Sequence, residues 1–187
     1  MRKLVITENI TVDGVIDATG GWFDPTDSTV DQSDLIEQTR RHSAAADAFL
    51  CGRHTFEAFR NFWPKQTDDE TGVTDYLNRV QKYVVSRTIT DPEWENSTVL
   101  SGPLAEEIAR LKDQPGGDIV TTGSISLVHS LIAENLVDEY RMFVYPTVIG
   151  AGARLFPDAT SVPDLELADN RTFRSGVVLL DYRVRTP

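Results

Sequence analysis

The chain has 187 residues, 40% of them hydrophobic and 25% charged, with 29 acidic side chains against 18 Lys and Arg. The resulting net charge of −11 argues against a general nucleic-acid binder and against charge-driven attachment to anionic membranes, but leaves room for a local basic site. The length suits one domain with a sizeable core, and Cys51, the sole cysteine, leaves no internal disulfide to form.

Residues 3–10 (KLVITENI) read as a strand, and Val12-Asp13-Gly14-Val15-Ile16 as a turn with apolar flanks. Residues 17–30, with Gly20, Gly21 and Pro25, read as a loop, and 31–46 as a helix with Asp31 and Ser33 as cap candidates. A strand at 48–51, a short helix near 54–60, a loop over 61–71 and a helix near 72–80 follow. Strands are expected at 82–86 and 97–100. Ser101-Gly102-Pro103 opens a helix ending near Lys112, and Gln114-Pro115-Gly116-Gly117 breaks it. Residues 118–122 form a strand, and 124–134 a helix with Ile125, Val128, Leu131 and Ile132 on one face. Beyond that the rhythm changes: 138–148, 164–173 and 176–185 read as long strands, with a Pro/Gly loop at 149–163 and a tight turn at Ser175-Gly176.

Alternating strand and helix, then an antiparallel ending, predicts a single α/β domain over 1–187. Its sheet is mostly parallel, with helices on both faces and a C-terminal hairpin at one edge. The N-terminus MRKLVITENI is too polar and too short for a signal peptide, and no apolar run spans a bilayer, so the expected location is the cytoplasm.

Three expected strand ends carry similar chemistry: Gly52-Arg53-His54-Thr55, Ser86-Arg87-Thr88 and Thr122-Gly123-Ser124-Ile125-Ser126. In a parallel sheet such ends lie along one edge, where α/β proteins bind ligands. A helix start behind a glycine receives phosphate on its free N–H groups, and two arginines supply charged donors for a second phosphate. Together they point to a dinucleotide with an extra phosphate, NADP rather than NAD. Gly150-Ala151-Gly152 is not a dinucleotide fingerprint, because Pro157 arrives before any helix. His42, His54 and His129 lack ligand spacing, and no metal is expected.

ITVDGVID (10–17), LCGRHTFE (50–57) and TTGSISLVHSLIAENLVDEYRMFVYPTVIGAGARLF (121–156) resemble the dihydrofolate reductase-like superfamily. Within it they are most similar to the reductase (RibD C-terminal) domain of riboflavin biosynthesis. The resemblance spans nearly the whole chain and implies a sheet of about eight strands. It also implies NADPH as cofactor and hydride transfer to a pyrimidine- or pteridine-like substrate, as in 5-amino-6-(5-phosphoribosylamino)uracil reductase. By the same resemblance Gly52, Arg53 and Thr55 meet the pyrophosphate and the adenosine 2′-phosphate, and Ser86 and Arg87 lie beside the adenine ribose. Gly123, Ser124, Ile125 and Ser126 lie under the pyrophosphate, and Ile16 and Asp17 against the nicotinamide. A homodimer is implied as well.

Delivering hydride to a C=N bond calls for a proton donor or an orienting carboxylate. By resemblance Asp34 stands where dihydrofolate reductases keep theirs, with Asp31 and Glu37 as neighbours able to serve instead. Trp22 reads as a lid over the site or as a contact for a partner subunit. Two other readings stay open: a dihydrofolate reductase proper, and an NADP-binding module without catalysis.

Overall fold

The computed structural model describes residues 1–23, 29–157, 162 and 164–185. Its elements in chain order are β1 (Leu4–Thr11), α1 (Ser33–Ala45), β2 (Ala46–Gly52), α2 (Arg53–Phe62), α3 (Val73–Arg79), β3 (Gln81–Val85) and β4 (Ser97–Leu100). They continue with α4 (Leu104–Asp113), β5 (Asp118–Thr121), α5 (Ile125–Ala133), β6 (Glu139–Tyr145), β7 (Leu165–Thr172) and β8 (Val178–Val184). One eight-stranded sheet runs β4-β3-β2-β5-β1-β6-β8-β7. The first six of these strands are mutually parallel, β8 is antiparallel to β6, and β7 is antiparallel to β8.

A parallel sheet must be covered on both faces, and the alternation along its strands shows how. Leu4, Ile6 and Ile10 of β1 pack with Ile108 of α4 and Leu131 of α5. Val5 points the other way, to Phe56 of α2 and Leu77 of α3. Leu35 of α1 joins Phe143 and Leu179 in a smaller cluster under the C-terminal strands.

Element ends follow local chemistry. The strand expected over 138–148 stops at Tyr145, because Pro146 has no N–H to continue the ladder. The helix expected from residue 101 starts at Leu104 behind Pro103, where the missing N–H costs nothing. Helix α2 is longer than expected, running to Phe62, and 3-10 turns occupy Ala18–Gly20 and Trp63–Lys65 in segments expected as plain loops. Part of the 17–30 loop, including Pro25, and part of the 149–163 loop lie outside the described residues.

One feature of register positions the site. β1 pairs with β5 only from Leu4↔Ile119 to Ile6↔Thr121, yet with β6 as far as Thr11↔Tyr145. From Thr7 onward the edge of β1 toward β5 is therefore unpaired, and the sheet opens into a slot. The slot falls where the strand order reverses around the late-inserted β5, the usual ligand position in an open α/β sheet.

Candidate active site

The ends of β2, β3 and β5 meet as their adjacency requires. Gly52, Arg53, Ser86, Arg87, Ser124 and Ser126 line one open cleft of about 580 Å³. Two helices start there, α2 at Arg53 and α5 at Ile125, and neither N-cap residue (Gly52, Ser124) makes a side-chain capping bond. Their first N–H groups thus lack the usual side-chain acceptor at a site where the helix dipole favours an anion. A Cβ built on Gly52 would overlap Ser124 Oγ, so glycine is what lets the two helix starts approach. Gly123 has φ +132°, and a Cβ there would lie 2.9 Å from Thr55 Oγ1. Thr55 therefore stands behind the glycine turn rather than in the cleft.

Both cleft arginines are exposed. Arg53 has Glu57 3.7 Å away, a weak surface pair that leaves its guanidinium available. Ser86 is occupied structurally: its Oγ accepts from Thr88 N and Ile89 N, both at 3.1 Å, and so shapes the turn that presents Arg87.

A second cavity, of about 490 Å³, lies on the α1–α3 side of the sheet. Aromatic side chains on its walls include Phe23, Phe59, Trp63, Phe143 and Tyr145, and Thr122 of the β5–α5 turn lines it too. Ser124, two residues on, lines the cleft, so the β5–α5 turn borders both spaces. Among the polar side chains on its walls are Thr7 and Asn9 of β1, Thr39, His42 and Ser43 of α1, and Arg141 of β6. Burial lowers His42 to about 4, so its ring is neutral at pH 7. Arg141 bonds Asp118 (2.9 Å) and Glu139, with Asp181 3.7 Å away, which neutralises its charge locally. Burial raises Asp181 to about 6. Burial alone raises Glu8 to about 8.

The segment expected against the nicotinamide is tied down firmly. Ile16 is buried, and its N–H donates to Ala153 O at 2.9 Å. Asp17 caps the 18–20 turn by accepting from Thr19 N and Oγ1. Neither lines the cleft or the cavity as these are formed. Trp22 donates Nε1–H to Asp17 O at 2.7 Å and meets Tyr145 edge-on at 5.7 Å, so it packs over an aromatic of the cavity wall. The glycine pair 150/152 serves this segment: Asp13 accepts from Ile149 N and Gly150 N. A Cβ on Gly152 would crowd Val15 Cγ1 at 2.9 Å.

Asp34 stands apart from both spaces. Its Oδ1 accepts from Leu35 N at 3.0 Å and its Oδ2 from Arg174 N at 3.1 Å, joining α1 to the β7–β8 turn. Asp31 pairs with the Arg174 side chain at 3.0 Å, and Glu37 pairs with Arg41 on the surface of α1. Helix α1 turns Leu35, Ile36, Thr39 and His42 to the cavity instead. The cavity was missed in the sequence, since its walls come from elements far apart along the chain. Glu8, an acid inside the apolar row Leu4, Ile6, Ile10, was missed too; like that row it faces the α4–α5 side of the sheet.

The chain belongs to the RibD C-terminal domain family, a reductase-like family that matches residues 2–179. It is 32% identical over 186 residues to YyaP of Bacillus subtilis (strain 168), covering 97% of this chain and 94% of that protein. To YwjB of the same organism it is 27% identical over 183 residues, 95% and 96% of the two chains. Among solved structures, a candidate riboflavin biosynthesis protein from Shewanella sp. PV-4 superposes with a TM-score of 0.72 at 19% identity, covering 98% and 99% of the chains. A pyrimidine reductase-like protein from Corynebacterium diphtheriae gives 0.67 at 16%, covering 100% and 93%. The fold is the dihydrofolate reductase-like one. No helix among the described residues is long and apolar enough to cross a membrane.

Proposed function

We propose that the protein is an NADPH-dependent reductase of a pyrimidine- or pteridine-like heterocycle. The observation that carries this reading is the cleft: two helix starts without side-chain caps, held close by Gly52, with Arg53 and Arg87 at adjoining strand ends. These residues suit a dinucleotide phosphate, the pyrophosphate on the N–H groups of α2 and α5 and the 2′-phosphate on the arginines. Membership of a reductase-like family, whose members typically bind a nicotinamide cofactor, supports it. Such a cofactor, when bound, supplies a hydride. The chain itself supplies a cavity with aromatic walls to stack a planar ring, with Trp22 packed against Tyr145 of that wall.

Arg53→Ala tests the assignment. A charge-assisted hydrogen bond contributes about 1.5–3 kcal/mol, so NADPH affinity should fall by roughly ten- to a hundredfold while NADH affinity barely moves. Titration of both cofactors by calorimetry reads the difference. Equal losses for the two would overturn the 2′-phosphate assignment, and no binding of either would overturn the reductase reading.

A further inference from the structure

The cleft and the cavity are opposite in charge. The cleft presents two exposed arginines, Arg53 and Arg87, and two helix starts without side-chain caps. Among the described residues lining the cavity, Arg141 is the one Lys or Arg, and carboxylates already balance its charge. Its Nε donates to Glu139 Oε1 at 2.8 Å, its Nη2 donates to Asp118 Oδ2 at 2.9 Å, and Asp181 lies 3.7 Å away. The start of α1, which lends Gln32, Leu35 and Ile36 to the wall, is closed to anions as well. There Ser33 N–H donates to Asp31 Oδ1 and Leu35 N–H to Asp34 Oδ1, both at 3.0 Å. The residues that follow Phe23 in sequence, 24–28, include two Asp and no cation. An anion entering the cavity would lose its water and meet carboxylates rather than an unbalanced cation, a costly exchange. We propose that the substrate is an uncharged planar heterocycle, recognised in the cavity without any phosphate or carboxylate group.

This rests on the reductase reading above and narrows it. Phosphate recognition belongs to the cleft, and so to the cofactor. The cavity offers what an uncharged ring needs: Phe143 and Tyr145 for stacking, and Thr7, Asn9, Ser43 and Thr122 as neutral donors and acceptors. His42, neutral at pH 7, adds no charge. A folate with its glutamate tail, or a phosphoribosyl pyrimidine, would bring an anionic arm that no described residue of the lining receives.

The test is calorimetric titration of the full chain at pH 7 with two probes that share a ring, 6-methylpterin, which is neutral, and 6-carboxypterin, which carries a carboxylate. The neutral probe should bind at least about tenfold more tightly, as the cost of desolvating an unpaired anion requires. Thr39→Trp, which fills the cavity from α1, should weaken 6-methylpterin by about tenfold or more and leave NADPH affinity unchanged. Asp118→Asn removes one of the carboxylates that balance Arg141 and should narrow the preference between the probes by about threefold or more. Equal affinities, a preference for the carboxylate, or no binding of 6-methylpterin at millimolar concentration would each overturn the proposal. So would 6-methylpterin binding that Thr39→Trp leaves untouched, or a preference that Asp118→Asn leaves unchanged. None of these titrations contains NADPH or depends on its binding, so the proposal and the reductase reading fail separately.

Discussion

At the scale of single residues, the buried acid Glu8 couples stability to pH. Its folded-state value of about 8 stands above the ordinary 4.5, so the folded chain holds a proton that the unfolded chain releases. The associated stability is fully present below pH 4.5, declines as pH rises, and is lost above about 8. Glu8→Gln removes this dependence. The variant should match the wild type below about pH 4 and exceed it at pH 9 by about 3–5 kcal/mol in urea unfolding. Parallel pH profiles for the two proteins would show that Glu8 ionises freely in the fold. Asp34 illustrates the opposite relation of sequence to role. An acid near the start of a helix was legible, but which way it points depends on Arg174, 140 residues away, whose N–H it accepts. No local pattern encodes that contact.

At the scale of elements, the strand–glycine–helix units were legible because each is local. GRHT and TGSIS announce a strand end, a glycine and a helix start, and adjacency in a parallel sheet then brings them together. The second cavity was not legible, since its walls come from β1, β6 and helices α1, α2 and α3, which only tertiary packing brings together. The closeness of the two units makes a sharp prediction. Gly52 has an ordinary φ of −82°, so alanine there meets no φ penalty, and its obstruction is Ser124, chiefly Oγ, with Cβ at 3.1 Å and N at 3.3 Å also tight. Gly52→Ala should push the start of α5 away from α2, cost about 1–3 kcal/mol of stability as overpacking does, and weaken NADPH through misplaced N–H groups. Removing the obstructing hydroxyl with Ser124→Ala in the same chain should recover part of the stability, the contact with Ser124 Cβ remaining. Failure of that rescue would mean the strain lies elsewhere.

At the scale of the whole molecule, the C-terminal strands complete the sheet and brace the site. β8 pairs with β6 from Glu139↔Arg183 to Val144↔Val178, and Val184 N–H donates to Asp138 O at 3.0 Å. The hairpin also grips α1, a cavity wall: Arg171 Nη1 donates to Gln38 Oε1 at 2.9 Å, and Arg174 meets Asp31 and Asp34. Phe143, Phe173 and Leu179 bury Leu35 of α1 in the same region. The hairpin is therefore coupled to the α/β body through backbone ladder, side-chain bonds and core at once, and the two should unfold together. Far-UV circular dichroism follows the whole sheet. Tryptophan fluorescence follows Trp22 against Tyr145 and Trp63 and Trp94 on the α2–α3 side. The two urea curves should coincide in midpoint and slope. A chain ending at residue 135 should not fold, because it leaves β1 unpaired from Val5 to Thr11 on its β6 side and uncovers the apolar face that β6 and β8 bury. Separate transitions, or a soluble, cooperatively folded truncated chain, would mean that the hairpin is an appendage and that the cavity keeps its shape without it.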